Sequence, residues 1–386
     1  MPADRDAGDP VLLLQDLIRR PSVTPAEEGV FDVLERALRP LGFVVTRVRF
    51  EGDGSYPVDN LFATRGTAGK HLLFAGHTDV VPPGDGWTHE PFAAEIADGL
   101  LYGRGSADMK SGIAAFVAAV AAVAADGDTH GRISLAITND EEQDAINGTE
   151  KLLTWARQQG HQFDFAIVGE PSATASVGDS IKIGRRGSFS GRITVTGVQG
   201  HVAYPDKARN PLPVLAAAVT ALKAVPLDAG TSQFPPSNLE FTTIDVGNET
   251  SNVIPGRGTA RFNIRFNDTW TPERLDSWVR ERLATVEAAG CDIQFEPVGR
   301  PSRSFLSPPG GGLDVLVETI TGITGNPPQL STGGGTSDAR FIADYCPVVE
   351  CGLPGPSMHK VDEHIRISDL VALTGLYRAF LAAYFR

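Results

Sequence analysis

Apolar positions divide the chain into segments of helical and of strand spacing. Val11 to Ile18 is apolar at helical spacing and stops before Pro21. Val30, Val33, Leu34, Ala37, Leu38 and Leu41 share one face of a second amphipathic helix, ended by Gly42. Phe43 to Val48 reads as a strand. From residue 71 the order is strand, long loop, helix, strand, helix, strand. The segments are His71–Ala75, Ser106–Ala125, Arg132–Thr138, Gly148–Gln159 and Phe165–Val168. Strands alternating with helices predict a mainly parallel sheet with helices on both faces. Such sheets bind ligands beyond the carboxyl ends of their strands. The residues at those three ends are His77, Glu141-Glu142 and Glu170.

Residues 187–300 change texture. Phe189, Gly191, Ile193 and Val195 alternate with polar residues, and so do Phe262, Ile264 and Phe266. Leu212–Ala224 predicts a helix and Leu239–Val246 a strand. Thr271-Pro272-Glu273 opens another helix, with threonine as cap and proline at the first position. Asp292–Val298 is a last strand. The order β-α-β-β-α-β predicts a ferredoxin-like α+β unit. After Pro301 the first pattern resumes, with a helix at Leu313–Thr324, a strand at Val348–Glu350 and a closing helix capped by Ser368. The expectation is an α/β domain over residues 1–186 and 301–386, with residues 187–300 inserted into it.

The 386 residues suit two domains, each with its own core. A net charge of −13 at pH 7 argues against nucleic acid or an anionic membrane as partner. Three cysteines, none in Cys-x-x-Cys spacing, point to a reducing compartment. The polar, acidic start shows no secretion signal. The longest apolar run, Ile113 to Ala125, is too short for a bilayer, which needs about 20 residues. These features predict a cytoplasmic protein.

Five residues at strand or helix ends are candidate metal ligands: His77, Asp108, Glu142, Glu170 and His359. Each has a plain alternative; Asp108, before a helix, could simply be an N-terminal cap. A mixed nitrogen and oxygen set without cysteine suits zinc or a similar divalent ion. Five ligands exceed what one catalytic zinc takes and suit two ions sharing a carboxylate, able to activate water and polarise a carbonyl. Glu141, beside Glu142, is then a candidate general base. Asp79, two residues after His77, is placed to orient it.

His77-x-Asp79, Gly105-x-x-Asp108-Met109-Lys110, Asp140-Glu141-Glu142, Gly169-Glu170-Pro171 and the late His359 resemble the di-zinc M20 metallopeptidase and deacylase family. The resemblance covers nearly the whole chain. It implies two Zn2+ per subunit, or cobalt in one site. His77 and Glu170 would hold one ion, Glu142 and His359 the other, with Asp108 bridging. Asp79 would orient His77, and Glu141 would be the general acid/base. The resemblance also implies a cis peptide between Asp108 and Met109. The inserted domain would form a homodimer and act as a lid, with His201 reaching the partner subunit's site to stabilise an oxyanion.

Finer motifs narrow the expected chemistry within the family. They are Gly184-Arg185-Arg186-Gly187-Ser188, Gly197 to Pro205, Ser251 to Pro255, Phe262 to Phe266 and Gly334 to Arg340. Their resemblance to one branch of that family implies hydrolysis of N-succinyl-LL-2,6-diaminopimelate to succinate and LL-2,6-diaminopimelate, a step of lysine and diaminopimelate biosynthesis. Arg185, Ser188, Tyr204, Asn252, Arg265, Gly335 and Thr336 would contact that small-molecule substrate. Arg185 and Arg265 suit its carboxylates through paired hydrogen bonds, and the glycine-rich loop adds donors. One stretch departs from relatives with an Asn-containing loop: Pro354-Gly355-Pro356-Ser357-Met358 has no amide side chain before His359. The alternatives are a sister deacylase acting on acetylornithine or another N-acyl-amino acid, an aminopeptidase, or a metal-binding protein without catalysis. Retention of both Glu141 and His201 argues against the last.

Overall fold

The computed structural model describes residues 8–127 and 131–386. The chain divides into two compact units. One comprises the chain up to Ile183 with Ser307–Ser331 and Ser337–Arg386, and the other Gly184–Leu306 with Thr332–Thr336.

Among the described residues, the first unit is built on an eight-stranded sheet. At its centre Arg132–Thr138, His71–His77, Phe165–Val168 and Val348–Glu350 run parallel in that spatial order. Their side chains are buried almost throughout, as expected of a sheet covered on both faces. An antiparallel hairpin, Val44–Gly52 with Ser55–Arg65, extends one side. Ser180–Lys182 and Gln329–Ser331 extend the other. The strand at Ser55–Arg65 is not foreseen from sequence. Its pattern is broken by Pro57, Asp59 and Asn60. Pro57 sits where the pairing register shifts, and the side-chain amide nitrogen of buried Asn60 donates to the Asn147 carbonyl at 3.0 Å.

Helix Ser111–Ala125 lies against helix Ile367–Tyr384 in the core of this unit. Phe116 stacks on Phe74 at 4.1 Å between ring centroids, and Tyr377 meets both rings edge-on. Ser106–Ala125 is long and apolar enough to cross a membrane, but 78% of its apolar window is buried inside the unit. Core packing therefore accounts for its apolar character. The regular helix begins at Ser111 and not at Ser106, because Asp108 (φ −121°, ψ 100°) and Met109 (φ −130°, ψ 28°) leave helical geometry. The Asp108–Met109 peptide is cis. Ser368 is not the cap of the closing helix. Strand His364–Arg366 runs directly into that helix, and the Ile367 N–H bonds to the Gly99 carbonyl at 3.0 Å.

The second unit has a four-stranded antiparallel sheet in the order Asn238–Asp245, Arg257–Phe266, Gly187–Thr196, Asp292–Ser302. Helices Pro211–Lys223 and Pro272–Leu283 bury Val214, Leu215, Leu275 and Val279 against Phe189, Ile193, Phe262 and Ile264. This is the ferredoxin-like order. Thr271 caps the second helix, its hydroxyl accepting from the Arg274 N–H at 3.3 Å. The unit begins at Gly184 and ends at Leu306, wider than residues 187–300, because Gly184–Arg185 pairs with Phe305–Leu306. Thr332–Thr336 also belongs to it, held by the Thr332 hydroxyl donating to the Gln233 carbonyl at 2.6 Å.

Candidate metal centre and active site

Parallel register brings the three strand ends together. His77 pairs with Thr138, and Ala75 with Val168. Glu170 therefore follows its strand by the same two residues that separate His77 from Ala75. Close backbone approach helps place Glu170. A Cβ at Gly112 would lie 2.3 Å from the Gly169 carbonyl oxygen, so the 111–125 helix can touch this strand end only through glycine.

Two groups of three possible ligands occur among the described residues, and both include Asp108. His77 Nε2 lies 3.2 Å from Asp108 Oδ1 and 3.4 Å from Glu170 Oε1. His359 Nε2 lies 3.3 Å from Asp108 Oδ2 and 3.1 Å from Glu142 Oε1. In each group the three candidate ligand atoms lie within 4.8 Å of one another. Asp108 thus offers one oxygen to each side, as a bridging carboxylate would. Two imidazoles with carboxylates and no thiolate form a donor set that fits two zinc-like cations. His359 reaches the site from a left-handed backbone (φ 61°), a conformation histidine tolerates better than most residues.

The electrostatics favour positive charge here. Burial opposes the charged form of His77, but Asp108, Glu170 and Asp79 outweigh it and hold its pKa well above the ordinary value. Hydrogen bonds to Asp108 and Glu142 raise His359 to about 10. Burial, reinforced by the charge of Asp108, pushes Glu170 up to about 8. Glu141 is also held well above the ordinary carboxyl range. Burial is the main cause, opposed by His77 and reinforced by Glu170, Asp338 and Glu142.

Asp79 acts at two points. His77 Nδ1 is 2.9 Å from the Asp79 backbone carbonyl but 3.6 Å from its carboxylate. The carboxylate instead accepts the Glu141 and Glu142 N–H groups, each at 3.1 Å, and the Thr24 hydroxyl at 2.9 Å. It therefore also clamps the loop that carries both glutamates. Asp140 fixes the far side of that loop, accepting the Tyr56 hydroxyl at 2.5 Å and the N–H groups of Ala145, Ile146 and Asn147.

Sequence reasoning missed several of these supports. Thr24 and Asp140 are two of them. A third is Lys110, fully buried, which donates to the Leu17 and Arg20 carbonyls at the end of helix Pro10–Ile18. Arg104 and Glu363 complete the set. Arg104 sits between glycines, and Glu363 follows an aspartate in a polar stretch; both read as surface charges.

The remaining candidates lie in the second unit. His201 pairs with Val253 beside Asn252, and its ring lies 5.7 Å from that of Tyr204. The Val202 N–H donates to the Asn252 carbonyl at 3.1 Å, so these three residues share adjoining turns. Arg185 is buried and donates to the Gly333 carbonyl at 3.1 Å, beside Gly335 and Thr336. Ser188 pairs with Arg265 across neighbouring strands. Arg186 donates to the Asn238 side chain at 2.8 Å.

Residues 73–383 match the model of peptidase family M20/M25/M40. The chain belongs to this family. Its relatives in the M20/M25/M40 family include the succinyl-diaminopimelate desuccinylase of Rhodopseudomonas palustris (strain BisA53), 53% identical over 100% of both chains. That of Gluconacetobacter diazotrophicus is 55% identical over 97% of each chain. Among solved structures, a tripeptidase from Staphylococcus aureus superposes with a TM-score of 0.80 over 98% of this chain and 99% of its own, at 19% identity. The aminopeptidase PepT from Bacillus cereus gives 0.79 over the same shares, at 20% identity. At those identities the likeness to the two peptidases speaks to the M20 fold alone.

Proposed function

We propose that this chain is a zinc-dependent amidohydrolase that splits N-succinyl-LL-2,6-diaminopimelate into succinate and LL-2,6-diaminopimelate. The observation that carries the reading is the pair of ligand groups sharing Asp108, in a chain more than half identical over its whole length to desuccinylases. His77 and Glu170 would hold one ion and Glu142 and His359 the other, with Asp108 between them. Zinc in such a site supplies a Lewis acid that polarises the amide carbonyl and lowers the pKa of water.

The chain's own residues do the rest. Glu141 takes a proton from the attacking water and delivers it to the leaving amine. Its raised proton affinity suits that second task. Asp79 keeps Glu141 and Glu142 in register through their backbone N–H groups. Arg185 and Arg265 supply paired donors for substrate carboxylates, with Ser188, Tyr204, Asn252, Gly335 and Thr336 adding single contacts. His201 steadies the charge that develops on the carbonyl oxygen, in the site of a partner subunit. The second unit serves as lid and dimerisation domain of a homodimer in the cytoplasm.

The test is succinate release from synthetic N-succinyl-LL-2,6-diaminopimelate by zinc-loaded enzyme, with chelated enzyme as control. Release that depends on metal is expected. Equal release after chelation would refute the metal reading. Turnover of acetylornithine but not of the succinyl substrate would refute the substrate.

A further inference from the structure

Glu363 stands four residues after the proposed ligand His359 and is fully buried. A carboxylate in that position is costly unless every lone pair is used. Here each oxygen takes two donors. Oε2 accepts Arg104 Nη1 at 2.6 Å and the Gly105 N–H at 3.1 Å. Oε1 accepts the Ala107 N–H at 2.8 Å and the Asp108 N–H at 3.1 Å. The one side chain thus gathers three N–H groups of the irregular turn that carries Asp108.

The link runs both ways. The Gly103 N–H donates to the Glu363 backbone carbonyl at 2.8 Å, and Arg104 also donates to the Lys360 carbonyl at 3.3 Å. Arg104 is itself buried, over the Trp87 ring at 5.1 Å, and donates to the Pro83 carbonyl at 3.2 Å. Two segments about 250 residues apart in sequence, one holding Asp108 and the other His359, are thereby tied at one buried ion pair. The pair is neutral as a whole. It orders the turn without adding net charge to a site already crowded with carboxylates.

We infer that Glu363, held by Arg104, is a positioning residue for the two-ion centre: it sets the Asp108 carboxylate relative to His359 so that one oxygen serves each ion. The inference rests on the two-ion reading above. Glu363 touches neither substrate nor reacting atoms.

The test is zinc titration into metal-free protein against a chromophoric chelator, with circular dichroism at the same temperature to establish that each protein is folded. Wild type is expected to bind two ions. Glu363→Gln keeps the shape but cannot accept from both pairs of donors, and its affinity for zinc is expected to fall by roughly 10- to 100-fold. Arg104→Lys keeps the charge but loses the fork, and a smaller fall in the same direction is expected. At saturating zinc, KM should stay near that of wild type in both variants while the zinc concentration needed for half-maximal kcat rises. Folded variants with wild-type zinc affinity would overturn the inference. If Glu363→Gln does not fold, Arg104→Lys decides alone. A wild-type chain that binds no zinc would instead overturn the two-ion reading, and this inference with it.

Discussion

Asp79→Asn separates aim from stability, because the carboxylate that holds the loop is kept ionised at a net cost. Burial pushes the Asp79 carboxyl up to about 6, against an ordinary 3.8. At about 1.4 kcal/mol for each tenfold change in proton affinity, keeping it ionised in the folded chain costs about 3 kcal/mol. The substitution removes that cost. That cost is already net of the three charge-assisted bonds from the Thr24 hydroxyl and the Glu141 and Glu142 N–H groups, which the substitution turns into neutral ones. Chelated Asp79→Asn protein should therefore be no less stable than wild type in urea at pH 8, with a gain of at most about 3 kcal/mol. Turnover of the zinc-loaded variant should nonetheless fall by at least about tenfold, since the loop carrying Glu141 and Glu142 is less firmly held. A stability loss beyond about 1 kcal/mol would refute the burial argument, and unchanged turnover would refute the aiming role. The pH dependence has a definite sign. Asp79 binds its proton more tightly folded than unfolded, so its contribution to stability is present below the ordinary 3.8 and is lost as pH rises through about 6. Urea curves of the variant should lack that step.

Glu141→Gln should retain both ions by elemental analysis and lose roughly 100- to 10,000-fold in kcat, the span of a removed general acid/base; near-normal turnover is the outcome that would sink its role. Mixing Glu141→Gln with His201→Ala protein should restore part of the activity through mixed dimers, whereas mixtures as inactive as the two parents would count against sites shared between subunits. Gly112→Ala should lower the thermal midpoint, by an amount equivalent to about 1–3 kcal/mol, because the new methyl group meets the Gly169 carbonyl oxygen at 2.3 Å. An unchanged midpoint would show that the helix and the strand end can part freely.

The apolar patterns were enough to place the central strands and the ferredoxin-like order of residues 187–300, because strand and helix periods differ and each element buries one face. They failed at Ser55–Arg65, where buried Asn60 and a register shift at Pro57 hide a strand that only pairing stabilises. They also failed at Ser106–Lys110, which reads as helix but is bent around the Glu363 carboxylate. The end of Arg132–Thr138 could be read as an acidic loop, but not that Asp79 and Asp140 would grip it from two sides.

By itself the sequence determined which residues can carry the chemistry. Ligand type follows from side-chain chemistry, and the ends of parallel strands are local features of the pattern. Only the tertiary structure decided which charges are buried supports. Glu363 and Arg104 look like surface residues in their own neighbourhoods, and each becomes tolerable inside the protein because the other lies opposite it. Such pairing depends on contacts between segments far apart in the chain, and no local pattern records it.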